Sequence, residues 1–210
     1  MSDGPVPDGP AGDGRRLVLL RHAKSDWPDV ADHDRPLAKR GRRDAPAVGR
    51  WLGQSGYAPD AVICSTALRA RETWELASAG LRAAVPGAAP PVRYESRVYD
   101  ATVLGLLMLV REFPAEWRTA LLVGHNPGMA ELTAGLADPS SDPPSAFPTA
   151  AVAVLGVPGP WADTAPGEAG LLAFAIPGDM RALDPYVVTA ACAGTGLAAA
   201  GARRGRGRWR

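Results

Sequence analysis

The strongest constraint on the fold of this chain is the alternation of short apolar runs with longer segments of helical periodicity. The runs are short and mostly aliphatic, as expected for strands that are buried on both faces of a sheet. Strands that alternate with helices form right-handed βαβ units. We therefore predict an α/β fold, a three-layer α/β/α sandwich with a mainly parallel central sheet. The first four predicted strands are residues 17–20, 61–64, 92–94 and 119–123.

The remaining elements fit the same architecture. Apolar positions at helical spacing, with Gly or Pro near their ends, predict four helices between and after these strands. Two later apolar runs flank a Gly- and Pro-rich connection and predict a β-ribbon that closes the sheet. The predicted helices are residues 37–52, 66–81, 102–113 and 129–136, and the predicted ribbon strands are residues 150–157 and 171–176.

Polar side chains follow each of the first four predicted strands. Because the carboxyl ends of parallel strands meet at one edge of a sheet, where open α/β folds bind their ligands, we expect these side chains to share one site. Any one of them alone is equally well explained as a solvated residue at the end of a strand. The residues are Arg21 and His22 after the first strand, Ser65 and Arg69 after the second, Glu95 after the third and His125 after the fourth.

Length and composition are those of one soluble domain, which we place at residues 15–182 of the 210. Residues 1–14 are rich in Gly, Pro and Asp and are predicted to be a disordered extension. Residues 183–210 form a C-terminal extension to which we assign no fold, and they end in an Arg-rich tail. A net charge of +1 gives no reason to expect a nucleic-acid partner.

The cysteine content and the length of the apolar runs indicate the cellular compartment. The two cysteines, Cys64 and Cys192, do not make a disulfide framework. No apolar run has the length of a signal peptide core or of a membrane span. We therefore expect a cytoplasmic protein with no membrane partner.

Three motifs, each at the end of a predicted strand, resemble those of the histidine phosphatase superfamily, which has the phosphoglycerate-mutase-like fold. Leu-Arg-His-Ala at 20–23 stands where that family has an Arg-His-Gly signature. Ser-Thr-Ala-Leu-Arg-Ala at 65–70 is similar to its Ser-x-x-x-Arg-Ala segment, and Val-Gly-His-Asn-Pro at 123–127 is similar to the segment with its second histidine. The resemblance covers about residues 17–176, and Ala23 in place of glycine is a minor departure.

The resemblance implies that His22 attacks phosphorus and that Arg21, Arg69 and His125 surround the phosphoryl group. This chemistry suits the residue types, because a transferring phosphoryl group is stabilised by fixed positive charge and by forked guanidinium donors. Nearby arginines also favour the neutral imidazole that a nucleophile needs. Since the arginines neutralise the phosphoryl charge, no metal and no other cofactor is expected.

Four further residues are assigned around this centre. We expect Asn126, beside a helix N-terminus that suits an anion, and Ser25, close after the nucleophile, to contact the substrate. The general acid that protonates the leaving group is predicted to be Glu95. Asp100 is the second candidate, and the absence of any acid is the third possibility.

The short connection between Arg69 and Glu95 has room for one helix and a linker, whereas mutases of this family carry a larger helical insertion. The chain is most similar to the short SixA-type branch, whose members act as phosphohistidine phosphatases on proteins. The implied partner is therefore a phosphohistidine protein. The alternatives are a small-molecule phosphatase or mutase-like enzyme acting on a small phosphorylated metabolite, and a phosphate-binding adaptor on the same fold.

Two other kinds of site compete with this interpretation. A cysteine phosphatase needs five residues between its cysteine and its arginine, whereas four follow Cys64 before Arg69 and six before Arg71. Cys64 is better explained as a small buried hydrophobe. A metal hydrolase would take its ligands from a set of five residues, but their spacing matches no established metal-ligand pattern. The five candidate ligands are His22, Asp32, His33, Asp34 and His125.

Overall fold

The computed structural model describes residues 14–182. Two predictions therefore lie outside the described residues: the N-terminal extension, except at Gly14, and the C-terminal segment with its Arg-rich tail. Cys192 also lies outside them. No helix in the described range is long and apolar enough to cross a membrane. The strands are β1 (Arg15–Arg21), β2 (Ala61–Ser65), β3 (Val92–Glu95), β4 (Thr119–Gly124), β5 (Val152–Val157) and β6 (Gly170–Ala175). The α-helices are α1 (Lys39–Gln54), α2 (Leu68–Ala84), α3 (Val103–Arg111), α4 (Gly128–Leu136) and α5 (Pro177–Ala182).

The strands form a single six-stranded sheet in the order β3-β2-β4-β1-β5-β6. The four strands from β3 to β1 are parallel to one another, while β5 and β6 add an antiparallel ribbon beside β1. The mainly parallel sheet and the closing ribbon predicted from the sequence are therefore confirmed. The carboxyl ends of β1, β2, β3 and β4 lie at one edge, as the prediction requires.

Helices cover both faces of the sheet because β1 is apolar on both of its faces. Leu17 and Leu19 pack in a core with α3 and α4, whereas Val18 and Leu20 pack in a second core with α1 and α2. All four side chains are fully buried. Burial of each contributes about 1.5–3 kcal/mol relative to exposure to water. The three-layer α/β/α sandwich is therefore confirmed.

The two helices of one face, α1 and α2, approach each other closely at two glycines. A Cβ atom at Gly49 would overlap the carbonyl oxygen of Ala77, and one at Gly80 would overlap that of Pro46. Only glycine permits backbones to lie this close. The contact anchors α2, whose first turn follows β2 and therefore lies at the carboxyl edge of the sheet.

Both α1 and α2 begin two residues later than predicted. Leu37 is not helical, because it bridges Ser25 in a short β-type contact and its amide donates to the carboxylate of Glu72 at 2.6 Å. Ahead of α2, the amide of Ala67 donates to the Ser65 hydroxyl at 3.3 Å. The segment between β1 and α1 is therefore irregular, and it contains one 3₁₀ turn at Asp32–Asp34.

Candidate active site

The carboxyl ends of β1 and β4 bring the two predicted histidines together. These strands are parallel neighbours, with Arg21 opposite Gly124. The amide of His22 donates to the carbonyl of Gly124 at 2.9 Å, so the ladder continues one residue beyond β1. The imidazole centroids of His22 and His125 are 5.1 Å apart, and the ring planes are inclined by 51°.

His22 is held in the form that a nucleophile requires. Its side chain is buried, and its Nδ1 lies 2.8 Å from the carbonyl oxygen of Ala23. A carbonyl only accepts, so Nδ1 carries the proton and Nε2 keeps its lone pair. The pKa of His22 falls to about 4, mainly because the ring is buried, although its bond to the Ala23 carbonyl opposes this. The guanidinium charges of Arg69, Arg21 and Arg35 lower the pKa further.

His125 is neutral for similar reasons. Burial, followed by the proximity of His22 and Arg69, lowers the pKa of His125 to about 3. Its Nε2 lies 2.8 Å from the hydroxyl oxygen of Ser65 at the end of β2. Its Nδ1 is buried and has no hydrogen-bond partner within the described structure. One ring nitrogen is therefore left for a ligand.

Arg21 and Asn126 share one backbone acceptor. Arg21 Nη1 donates to the carbonyl oxygen of Phe147 at 2.7 Å, and Asn126 Nδ2 donates to the same oxygen at 3.0 Å. Burial lowers the pKa of the Arg21 guanidinium. Arg21 Nε and Asn126 Oδ1 are buried without a partner among the described residues. Unpaired buried polar atoms are costly, so a polar ligand that pairs with these two atoms would be stabilised.

Arg69 is positioned by Asp32. Its Nη1 donates to the backbone carbonyl of Asp32 at 2.6 Å, and its Nη2 donates to the carboxylate at 2.9 Å. The same carboxylate accepts from Arg35 Nη1 at 2.8 Å and from the Tyr99 hydroxyl at 2.9 Å. These donors, Arg35 foremost, lower the pKa of Asp32 to about 2. Asp32 is therefore a fixed anion beside Arg69, a role that the sequence did not predict.

Ser25, predicted to contact the substrate, binds Arg35 in this network. Its hydroxyl accepts from Arg35 Nη2 at 2.8 Å and is buried. Arg35 also donates to the carbonyl of Asp26 at 2.9 Å, and its guanidinium lies 3.2 Å from the ring centroid of the exposed Trp27. Ser25 therefore holds Arg35, which in turn binds Asp32.

Thr73, on the second turn of α2, connects that helix to the nucleophile. Its hydroxyl donates to the carbonyl of Arg69 at 2.6 Å and accepts from the amide of Ala23 at 2.9 Å. Thr73 is fully buried. The amide that it binds belongs to the residue directly after His22. Thr73 lies four residues after Arg69 and so on the same face of α2, but that spacing alone does not reveal its bond to the Ala23 amide.

A cavity of about 320 Å³ opens beside these residues. Its lining includes Arg69, His125, Asn126, Tyr99 and Asp100. The start of α4 also lines it, so the positive end of that helix faces the space. His22 is not part of the lining, but its ring lies against that of His125, which is.

Glu95 and Asp100, the two predicted acids, lie in different surroundings. Glu95 is outside the cavity lining, and its carboxylate accepts from Arg97 Nη2 at 3.0 Å and from the Arg97 amide at 3.1 Å. These bonds lower the pKa of Glu95, which keeps it ionised. Asp100 does line the cavity, with a left-handed backbone (φ 53°) and an exposed side chain. The geometry gives Glu95 no support as the acid.

The rival sites do not take shape in the described structure. Cys64 is fully buried, and burial raises the pKa of its thiol to about 12, so it is not a thiolate nucleophile. Among residues 14–182, no three His, Cys, Asp or Glu side chains lie together in a way that could hold a metal ion. Asp32 binds arginines, and His33 Nε2 lies 3.0 Å from the hydroxyl of Thr66.

Two neutral imidazoles, two guanidiniums and a helix N-terminus at the carboxyl edge of a parallel sheet define a site for phosphoryl transfer. Comparison with known proteins then identifies the family. Residues 17–88 match the histidine phosphatase superfamily (branch 1). An uncharacterized protein of Mycobacterium tuberculosis is 43% identical over 166 residues, which cover 75% of this chain and 99% of that protein.

Two solved structures are similar over most of the fold. A candidate phosphohistidine phosphatase, SixA, from Nakamurella multipartitia is 37% identical, with a TM-score of 0.67, covering 80% of this chain and 99% of that one. A candidate phosphohistidine phosphatase SixA from Agrobacterium tumefaciens is 29% identical, with a TM-score of 0.62, covering 77% and 98%. The chain belongs to the histidine phosphatase superfamily, in its SixA-like branch, and it is a phosphatase.

Proposed function

We propose that the protein hydrolyses phosphohistidine on a protein substrate through a covalent phosphohistidine on His22. The observation that carries this proposal is the lack of a carboxylic acid in surroundings that would keep it protonated. A carboxyl group that acts as a general acid at neutral pH is buried in an apolar pocket or lies against another carboxylate. Asp32 and Asp100, the two carboxylates that line the cavity, have neither environment, and nor does Glu95.

The surroundings of these three carboxylates differ in detail. Asp32 and Asp100 line the cavity but are exposed to solvent, and three donors hold Asp32 as an anion. Glu95 is paired with Arg97. Expelling a serine alkoxide or a sugar alkoxide requires a proton from such a group, whereas the imidazole of phosphohistidine takes its proton from solvent. The site therefore suits a P–N bond better than a P–O bond.

The proposed reaction has two steps. His22 Nε2 attacks phosphorus as the P–N bond of the substrate breaks, and the substrate imidazole leaves as a neutral ring after protonation from solvent. The positive charge that the His22 ring gains is stabilised by the Ala23 carbonyl, which already accepts from Nδ1. Water then attacks the phosphoenzyme, orthophosphate leaves, and His22 returns to its neutral form.

Positive charge around the phosphoryl group supplies the rest of the catalysis. Arg21 directly precedes His22 and Arg69 lines the cavity, and each retains donors beyond those in the bonds described above. Asp32 fixes Arg69, and the Phe147 carbonyl fixes Arg21. The two similar SixA structures, themselves named as candidate phosphohistidine phosphatases, support the same substrate class.

A substrate panel tests the proposal. Phosphohistidine and phosphoserine forms of one peptide, a phosphoglycerate and a sugar phosphate are compared by kcat/KM, with His22→Ala as the inactive control. We expect phosphohistidine to exceed the monoesters by about 10²–10⁴-fold, the usual contribution of the general acid that the site lacks. Because a cavity of about 320 Å³ also admits a small metabolite, faster hydrolysis of a phosphoglycerate or sugar phosphate would overturn the proposal in favour of that class.

Trapping the intermediate tests the chemistry itself. Brief exposure to a labelled phosphoryl donor is expected to label His22 in a form that is acid-labile and stable to base. The Cys64→Ser variant is expected to label normally, because that thiol is buried away from the reaction. Binding of phosphate with no labelling and no turnover on any substrate would instead indicate an adaptor.

A further inference from the structure

Ser65 lies between the residue that precedes α2 and the second histidine, and its hydrogen bonds can be fully accounted for. It is the last residue of β2 and has no exposed surface. Its hydroxyl oxygen accepts from the amide of Ala67 at 3.3 Å. The other polar atom within hydrogen-bond distance of this hydroxyl, in the described part of the chain, is Nε2 of His125 at 2.8 Å.

A hydroxyl group has one proton to donate, and a buried one needs an acceptor. The Ala67 amide is a donor, so it cannot receive the proton of Ser65. His125 Nε2 is the one acceptor that the described surroundings offer. Donation from Ser65 leaves the lone pair of His125 on Nε2 and the ring proton on Nδ1.

We propose that Ser65 is a positioning residue that sets the tautomer of His125, so that its Nδ1–H is available to a phosphoryl oxygen. Nδ1 is the ring nitrogen that has no partner and is buried. His125 also lines the cavity. The inference rests on the phosphoryl chemistry of the proposed function but does not depend on which phosphorylated substrate is used.

The tautomer decides whether His125 attracts or repels the substrate. Phosphoryl oxygens are acceptors, so an N–H group stabilises them, whereas a lone pair at the same position would repel them. The two histidines are then used in opposite senses with the same tautomer. His22 has its proton on Nδ1 through the Ala23 carbonyl and uses its Nε2 lone pair, while His125 uses its Nδ1–H.

The tautomer can be read directly from long-range ¹H–¹⁵N correlation spectra of the full-length protein at neutral pH. The chain has three histidines, so spectra of His33→Gln and His125→Asn assign every ring. We expect His125 of the wild-type protein to carry its proton on Nδ1. In Ser65→Ala, which removes the hydroxyl donor, we expect the Nε2–H tautomer to appear and kcat/KM to fall by about 10-fold. This is less than the 10²–10³-fold seen when an oxyanion donor is removed outright, because the ring can still exchange its proton.

Thr133→Val provides the matched control. Thr133 is also buried, and its hydroxyl donates to the backbone carbonyl of Met129 at 2.8 Å, on α4, with no contact to His125. This variant is expected to keep the wild-type tautomer and turnover. The proposal is overturned if wild-type His125 carries its proton on Nε2, if Ser65→Ala changes neither tautomer nor rate, or if Thr133→Val slows turnover equally. If Ser65→Ala does not fold, the wild-type spectrum alone decides.

The substrate panel and the ¹H–¹⁵N spectrum test different claims, so either proposal can be refuted while the other holds. A phosphoglycerate preference with an Nδ1-protonated His125 would refute the proposed substrate and leave the role of Ser65 intact. If the enzyme prefers phosphohistidine but His125 carries its proton on Nε2, the proposed role of Ser65 is refuted and the proposed substrate stands.

Discussion

Mild acid is expected to destabilise the protein, because His22 and His125 are neutral in the folded state. The pKa of His22 lies at about 4 in the fold, against an ordinary value of 6.5, so at pH 5 the unfolded chain binds a proton that the folded chain does not. Stability is therefore lost as the pH falls through 6.5, and the loss levels off below 4. Between pH 7 and pH 5 this linkage gives a loss of about 2 kcal/mol from His22.

His125 adds a loss of similar size over the same interval, since its pKa falls to about 3. Carboxyl groups contribute little in this window because they are ionised in the unfolded chain above about pH 5. The stabilisation from Asp32, whose pKa falls to about 2, is present above its ordinary value of 3.8 and is lost only in stronger acid. The interval from pH 7 to pH 5 therefore isolates the histidines.

Urea denaturation followed by tryptophan fluorescence at the two pH values measures this effect. His22→Asn replaces the titrating ring with a neutral side chain, so its loss between pH 7 and pH 5 is expected to be smaller than the wild-type loss by about 2 kcal/mol. His33→Gln removes a more exposed ring and is expected to keep the pH dependence that arises from His22 and His125. If His22→Asn and wild type lose equal amounts of unfolding free energy between pH 7 and pH 5, then the fold does not hold His22 neutral. His22 would then not be kept in the form that a nucleophile requires.

Three further predictions concern single side chains. Glu95→Gln is expected to leave kcat/KM within about twofold, because a carboxylate outside the cavity contributes no catalytic proton, and a loss near the 10²–10⁴-fold of a true acid would restore it as the acid. Asp32→Asn is expected to lower kcat/KM by about tenfold for every substrate, because Arg69 loses a charge-assisted bond, and an unchanged rate would show that Arg69 is positioned without it. Gly49→Ala is expected to lower the free energy of unfolding by about 1–3 kcal/mol in thermal melts, because its Cβ overlaps the Ala77 carbonyl, and an unchanged melting temperature would contradict that close contact.

The layers of the fold could be predicted because each element is consistent with the sequence locally. Residues 17–20 are apolar on both sides of the strand, which requires helices on both faces of the sheet, and such helices are found. The starts of α1 and α2 could not be predicted to the residue. They depend on long-range bonds, such as that from the Leu37 amide to Glu72, which a helical pattern does not reveal.

Strand order explains why His22 and His125 lie together whereas Glu95 lies apart from them. All four parallel strands end at one edge, but β4 is the neighbour of β1, whereas β3 lies three strands away. At about 4.7–4.9 Å per strand, Glu95 begins roughly 14 Å to the side of His22. The sequence reveals which strands end in polar residues, but the order of those strands in the sheet is a tertiary property.

The residues that the sequence missed are those that act through others. Asp32 sits in a polar loop without periodicity, and its contact with Arg69 joins positions 37 residues apart. In the sequence Thr73 is an ordinary helix residue, and only the tertiary fold brings its hydroxyl to the Ala23 amide. The carbonyl of Phe147 cannot be recognised at all, because every residue has one.

That Phe147 carbonyl has a consequence for how this enzyme can diverge. A main-chain oxygen survives every substitution, so replacing the phenylalanine leaves the acceptor of Arg21 and Asn126 in place. Shortening or lengthening the Ser- and Pro-rich loop at 138–148 would move that oxygen and reorient both side chains together. A change in the length of this loop would therefore alter anion coordination without changing any of the sequence motifs.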